Sequence, residues 1–279
     1  MTSTSPTLSV VVPVYNGEKY IAEAIDSILQ QTGVDFEVII GDHSSTDNTR
    51  EIVEKYLSDP RVRIIDTPAG GYVQRSWTNV ATYATGTYIK LVCADDIIYP
   101  GVLARQVALL ERNPTASLTA CPRDVTDATG KILVSGMGLQ GIKKPLLGTD
   151  AVRRVVRAGR NIFGEPGCVT MRRDAFEAAG GWFGEFPYLI DMGTYSRVLL
   201  HGDFVPDLQT GATFRLNAEQ GSVSQSATQS SQTAGFHEWM HEQHPTVIRH
   251  SDVVIGNLRA SINARLRRLA FRFLRRRMS

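Results

Sequence analysis

The side chains best suited to chemistry sit at the ends of short apolar runs. Leu8–Val14 leads into Pro13-Val-Tyr-Asn-Gly17, where Tyr15 offers a flat ring and Asn16 a turn residue. Phe36–Gly41 leads into Asp42-His-Ser-Ser-Thr-Asp47, an acid followed by hydroxyls such as Ser44. Tyr88–Cys93 leads into Ala94-Asp-Asp96, two adjacent carboxylates with nothing basic beside them. Adjacent carboxylates in a tight turn repel each other unless a cation lies near. Oxygen-only ligation suits Mg²⁺ or Mn²⁺, and Mg²⁺ is usually shared with substrate phosphates. A ring for a nucleobase, an acid for its N–H and a metal for a diphosphate together describe a nucleotide-diphosphate site. Each has a plainer reading alone: Tyr15 as packing, Asp42 as a helix cap, Asp95-Asp96 as a cap of the turn before Pro100. Their joint placement at three strand ends favours the site.

The elements that must position these groups follow two periods. Leu8–Val14, Phe36–Gly41, Val62–Ile65 and Tyr88–Cys93 are apolar, β-branched runs of the kind buried on both faces of a sheet. Between and after them, Glu18–Gln31, Asp47–Leu57, Val73–Ala84 and Gly101–Arg112 read as helices. Repeated βα units predict a mostly parallel sheet flanked by helices, with ligands collecting beyond the carboxyl ends of its strands. The second half is less regular. Strands are expected at 116–120, 167–172 and 210–216, and helices at 149–158, 174–179 and 191–201. Gln220–Thr233, rich in Ser, Gln and Thr, reads as a loop or linker. Helical stretches follow at about 236–250 and 253–277.

The composition, 42% hydrophobic and 21% charged over 279 residues, excludes disordered, collagen-like and disulfide-framed chains. There is no apolar run of spanning length and no export signal at the first residues, and the three cysteines have no CxxC spacing. These features predict a cytoplasmic protein with Cys93, Cys121 and Cys168 as buried small hydrophobes. The net charge of +2 is uneven: from Arg249 onward nine arginines stand against Asp252 alone, a local +8, leaving −6 for residues 1–248. In that segment Leu258, Ile262, Leu266, Leu269 and Phe273 share one helical face, with Arg265, Arg268, Arg272 and Arg275 mainly on the other. Such a helix could lie on an anionic membrane leaflet, or pack on its own domain or a second protomer as a homo-oligomer. Nucleic acid is not expected, since no aromatic platform or reading motif accompanies the arginines. His237-Glu-Trp-Met-His241 matches the HExxH zinc pattern, but too little chain surrounds it to supply a third ligand and a cleft, so it is read as part of an amphipathic helix.

Taken in order, Val11-Val-Pro-Val-Tyr-Asn16, Ala24-Ile-Asp-Ser-Ile28, Glu37-Val-Ile-Ile-Gly-Asp42, Ser45-Thr-Asp47, Asn79, Ala84-Thr-Gly-Thr-Tyr-Ile89 and Ala94-Asp-Asp96 resemble the family 2 inverting glycosyltransferases of GT-A fold. The likeness continues through Arg172-Arg173, Gly180-Gly-Trp182, Asp191 and Arg215, spanning about residues 7 to 217. The resemblance implies that Pro13, Tyr15, Asp42, Ser44 and Asn79 hold a nucleotide-sugar donor. It implies that Asp95, with Asp96 beside it, binds a divalent Mn²⁺ or Mg²⁺ on the donor diphosphate, and that Asp191 is the general base. Inversion needs one base to take the acceptor hydroxyl's proton, and the departing nucleoside diphosphate needs a Lewis acid. Glu165 and Trp182 are candidate acceptor contacts, with core packing an equal reading for Trp182, and Ser222 and Ser224 are candidates for a loop closing over the donor. Departures from the family pattern fall at His43, Cys93, Trp77-Thr-Asn79, Ile190 and Asn217.

The implied organisation is a GT-A domain over 1–218, with a nucleotide-sugar half at 7–120 and an acceptor half at 121–218. A linker at 219–234 and a basic, amphipathic helical region at 235–279 complete it. The implied activity is metal-dependent, inverting sugar transfer to a glycan or lipid-linked acceptor of surface-polysaccharide synthesis, with peripheral contact at the membrane's inner face. Sugar transfer to a polyprenyl phosphate, or an inactive nucleotide-sugar-binding scaffold, are the competing readings.

Overall fold

The computed structural model describes residues 5–70, 73–216 and 228–274. The strands are β1 Leu8–Val14, β2 Phe36–Asp42, β3 Val62–Asp66, β4 Tyr88–Leu91, β5 Ala116–Ala120, β6 Arg123–Thr126, β7 Ile132–Met137, β8 Val169–Arg172, β9 Asp203–Pro206 and β10 Ala212–Arg215. The helices are α1 Ile21–Leu29, α2 Thr49–Glu54, α3 Val73–Ala81, α4 Val102–Arg112, α5 Gly148–Ala158, α6 Arg173–Ala178, α7 Ile190–Val198, α8 Gln229–Gln243 and α9 His250–Leu274. Seven strands form one sheet in the order β3-β2-β1-β4-β8-β5-β9, and β10-β6-β7 form a second.

All seven residues of β1 are buried because β2 and β4 flank it and helices cover both faces. Pairings β1–β2, β2–β3 and β1–β4 are parallel, as βα repeats require. In the second half β8 enters antiparallel between β4 and β5, while β9 runs parallel to β5. The expected mixed α/β architecture, mostly parallel and flanked by helices, is the one observed.

Register aligns the strand ends that matter. Val14 pairs with Asp42 and Asp42 with Asp66, while Val11 pairs with Leu91. The segments after β1, β2 and β4 therefore emerge at one edge of the sheet. Side chains then lock the first two together. Asn16 N–H donates to Ser45 Oγ at 3.0 Å, Gly17 N–H to Thr49 Oγ1 at 2.8 Å, and Asn16 Oδ1 accepts from Thr46 N–H at 2.8 Å. Asp47 is spent here, accepting from Glu18 N–H and from Thr49.

Three strands escaped the sequence reading. β6 is Arg-Asp-Val-Thr, β7 is largely exposed and β9 has only Phe204-Val205 before its closing proline, so none offers an apolar run long enough to signal a strand. The expected linker is also too long at its C-terminal side: α8 begins at Gln229, so residues 229–234 are helical, with Gln229 and Thr233 buried. Polar composition misled because those residues face protein rather than solvent. Cys121 and Cys168 are buried as expected, but Cys93 is only partly so. Among the described residues no helix is long and apolar enough to cross a membrane.

The C-terminal helix packs by a face of small residues that the sequence reading did not single out. Its packing side is made of Val253, Gly256, Ala260 and Ala264, all buried, laid on α5 and α8. Close approach needs the glycines: a Cβ on Gly256 would lie 2.3 Å from the Val156 carbonyl oxygen, and one on Gly159 2.5 Å from Ala260 N. Leu258, Ile262 and Leu266 of the apolar stripe face solvent instead, while the side chains of Leu269 and Phe273 lie outside the described residues.

Candidate active site

The loops after β1 and β4, the start of α3, the Glu165-Pro166 turn and the start of α7 enclose a cleft of about 600 Å³. Pro13, Tyr15, Asp95, Asp96, Glu165 and Asp191 all line it. Three of the expected groups, an aromatic ring, a pair of acids and a separate carboxylate, thus share one cavity.

Tyr15 stands 59% exposed at the mouth, its ring free to be covered by a planar group. Behind it His43 meets it edge-on, centroids 6.4 Å apart. His43 does not face solvent. Its Nδ1 pairs with Thr67 Oγ1 at 3.0 Å and its Nε2 with the Gly70 carbonyl at 3.0 Å, pinning the loop under the tyrosine.

Asp96 is buried, and its Oδ1 accepts from Arg215 N–H at 3.0 Å. Arg215 Nε donates to the Asp95 carbonyl at 2.9 Å, Nη2 reaches Glu23 at 2.6 Å, and the guanidinium lies 4.4 Å from the Tyr20 ring centroid. One arginine from the small sheet therefore sets the shape of the Asp95-Asp96 turn. Burial and the neighbouring Asp95 charge push the Asp96 carboxyl well above the usual range. Donor atoms of Cys93, Asp95 and Asp96 lie within 4.8 Å of one another. The Cys93 thiol is pushed well above its ordinary value by burial and both acids, so it stays protonated and is a poor ligand for a hard cation. The two carboxylates fit a divalent, oxygen-seeking ion.

Asp191 opens α7, half-buried. Its Oδ2 accepts from Asn161 Nδ2 at 2.7 Å and its Oδ1 from Met192 N–H at 2.6 Å. Burial raises its carboxyl to about 6, helped by the nearby Glu165 charge and opposed by those two hydrogen bonds and Arg123. Glu165 is itself held by Arg123, which is buried and donates from Nη2 at 3.0 Å. Asp95, Asp96, Glu165 and Asp191 thus put four acids in the wall, and among the described lining residues none is Lys or Arg. A diphosphate would be repelled there without a cation.

Other expected residues lie outside the lining. Asp42 is buried at the end of β2, its Oδ1 accepting from Ser45 N–H, and Ser44 donates to the Thr67 carbonyl. Asn79 points away from the α3 face that carries Val73 and Trp77 into the cleft, because six and two residues of helix turn it well round. Trp182 is corrected from acceptor contact to core: it is 3% exposed and packs edge-on against Trp77, Phe176 and Tyr195. Asn217, Ser222 and Ser224 fall outside the described residues. Conversely, Tyr20, Tyr188 and Phe214 line the cleft and Asn161 holds Asp191, though no sequence signal singled them out, and Trp77, noted only as a departure from the family pattern, lines it too. The HExxH histidines diverge. His237 is fully buried with Nδ1 paired to Asn257, while His241 Nδ1 pairs with the Ile248 carbonyl.

Comparison with known proteins decides the family, for the model of glycosyl transferase family 2 matches residues 9–180. The chain belongs to that family. It is 34% identical over 132 residues to a chondroitin synthase of Pasteurella multocida, covering 47% of this chain but 14% of the relative. It is 28% identical over 185 residues to the putative glycosyltransferase EpsE of Bacillus subtilis, covering 64% of this chain and 61% of EpsE. The chain thus spans only part of these relatives. In fold it is similar to Staphylococcus aureus TarS 1–349 in complex with UDP-GlcNAc, with TM-score 0.67 and 18% identity over 85% of this chain and 66% of that one. It is also similar to mannosyltransferase PcManGT of Pyrobaculum calidifontis in complex with GDP-Man and Mn²⁺, with TM-score 0.65 and 16% identity over 96% and 76%. Both likenesses support the GT-A arrangement of the family.

Proposed function

We propose that this chain transfers a sugar, with inversion, from a nucleoside-diphosphate sugar to a hydroxyl of a glycan or lipid-linked glycan. The observation that carries the reading is Asp191: a carboxylate raised to about 6, held by Asn161, in the same cleft as Tyr15 and Asp95. The names of the relatives support a polysaccharide product, and the bound GDP-Man and UDP-GlcNAc of the structural neighbours support the donor class.

Tyr15 covers the nucleobase, with Pro13 beneath it and His43 bracing the ring from behind. Asp95 and Asp96 would hold a divalent cation, which supplies charge neutralisation on the departing diphosphate when bound. Asp191 accepts the proton of the acceptor hydroxyl as its oxygen attacks the anomeric carbon. A pKa near 6 keeps it ionised at neutral pH yet basic enough to take that proton. Glu165 stands beside it as a hydrogen-bond acceptor for the sugar bearing that hydroxyl. Transfer to a polyprenyl phosphate is less well served, since an anionic acceptor would meet a wall of acids.

The test is transfer from nucleotide sugars by the purified chain with Mn²⁺ or Mg²⁺. Asp191→Asn should abolish transfer while nucleotide still raises the melting temperature by mass action, and Asp95→Ala should remove the metal-dependent part of that rise. Full transfer by Asp191→Asn would refute the reading. A wild-type chain that binds nucleotide but never transfers would favour a scaffold.

A further inference from the structure

On α9, Val254, Leu258, Ile262 and Leu266 recur at every fourth residue and are 55%, 65%, 46% and 60% exposed. Four-residue spacing keeps them on one stripe. The opposite side of the helix is already occupied by α5 and α8, so the stripe is not an unsatisfied packing face of this domain. Its edges are basic. Arg265, exposed, lies along one edge. Along the other, Arg259 joins Arg153, Arg154 and Arg157 of α5 around a groove of about 570 Å³ whose only acid is Asp150. Asp252 of α9, fully buried, takes Arg153 at 2.8 Å and Arg157 at 2.7 Å, so Arg154 and Arg259 are the groove arginines outside that ion pair.

We propose that this composite face of α9 and α5 docks on an anionic lipid surface. Val254, Leu258, Ile262 and Leu266 would enter the acyl boundary, with Arg154, Arg259 and Arg265 against lipid phosphates. An exposed apolar stripe between two cationic edges suits a layer that is apolar within and anionic at its rim. Charge decides against a second copy as occupant, because a symmetric pairing through this stripe would bring two arginine-rich edges together. The surface also connects to the cleft. Arg267, next to Leu266, donates to the hydroxyl of Tyr188, which lines the cavity. Docking therefore brings the cleft near the bilayer, where a lipid-linked acceptor would present its glycan. The docking itself does not depend on the reaction proposed above.

The test is vesicle flotation of the full chain, with phosphatidylcholine alone against phosphatidylcholine mixed with phosphatidylglycerol. Wild type should float with the anionic vesicles only, and less at high salt. Leu258→Gln/Ile262→Gln/Leu266→Gln should reduce anionic binding by about tenfold or more. Arg154→Gln/Arg259→Gln/Arg265→Gln should reduce it by about fivefold per arginine removed from the surface. All six positions are away from the cleft, and melting curves confirm that both variants fold. Equal flotation with neutral and anionic vesicles, no flotation by wild type, or unchanged binding in the variants would overturn the proposal. So would sedimentation showing a dimer that the Leu/Ile variant dissociates, which would make a second copy the occupant.

Discussion

The carboxyl of Asp191 links stability to chemistry, and replacing it with asparagine exposes that link. In the unfolded chain this group titrates near the ordinary aspartate value of 3.8, whereas in the fold burial raises it to about 6. Between those values the folded state holds a proton that the unfolded state has released. Stability therefore falls as pH rises through that window, and the loss is complete above the folded value. A shift of roughly two units at about 1.4 kcal/mol each costs the wild type about 3 kcal/mol at pH 7.5. Asparagine is the neutral isostere and never ionises. Its amide oxygen still accepts from Asn161 or Met192, so the variant should behave as protonated wild type at every pH.

Asp191→Asn is thus expected to be inactive and, at pH 7.5, more stable than wild type by about 2–3 kcal/mol, or several degrees in melting temperature for a domain of this size. At pH 4 the difference should nearly vanish. Chemical or thermal melts of both proteins across pH 4–8 measure this directly. Parallel stability curves with no pH-dependent gap would refute the claim that burial raises this carboxylate, and with it the physical basis for its role as base.

Asn161→Ala removes a hydrogen bond that favours the ionised form of Asp191, so the acid limb of kcat/KM should move up by about one pH unit. A limb that stays put or moves down would show that Asn161 does not act on the base. His43→Ala leaves Thr67 and Gly70 without their partner and Tyr15 without its backing ring. It should cost about 1–3 kcal/mol in denaturant melts and raise the donor KM more than it lowers kcat. Gly256→Ala forces a methyl against the Val156 carbonyl oxygen and the His237 ring, and should destabilise by about 2–3 kcal/mol through separation of α9 from α5.

The first half of the chain was legible because two signals coincide there. Buried parallel strands need continuous apolar runs, and the groups that follow them must sit at one edge, so Tyr15, Asp95 and Asp96 could be placed from spacing alone. The other half obeys no such rule. Asp191 was named through resemblance, while Asn161, on an irregular segment, and Arg123, opening the short polar strand β6, hold its surroundings with residue types that mean nothing until the chain is folded. Trp182 shows the converse failure: an aromatic beside a glycine pair looks like a sugar platform, yet its ring fills the space between Trp77 and Tyr195. On α9 the periodicity was legible, but it left open whether the apolar stripe faces the protein or a membrane. A glycine–alanine–asparagine face carries little hydrophobic signal, although it permits the closest backbone approach and therefore wins the packing.

Arg215 explains why the acidic turn needs the second half of the chain at all. Two adjacent carboxylates one turn beyond β4 would splay apart by their own repulsion, and the contacts from Thr213 and Arg215 that brace the turn come from far along the chain. Strand β10 meets that turn from the small sheet, through Thr213 N–H to the Ile97 carbonyl at 2.8 Å and Arg215 N–H to Asp96. The arginine side chain then ties Asp95's backbone to Glu23 on α1. The guanidinium donates to the Asp95 and Ala128 carbonyls and to Glu23. It thereby fixes the turn that carries both acids into the cleft, and the turn cannot take this shape until β10 is in place.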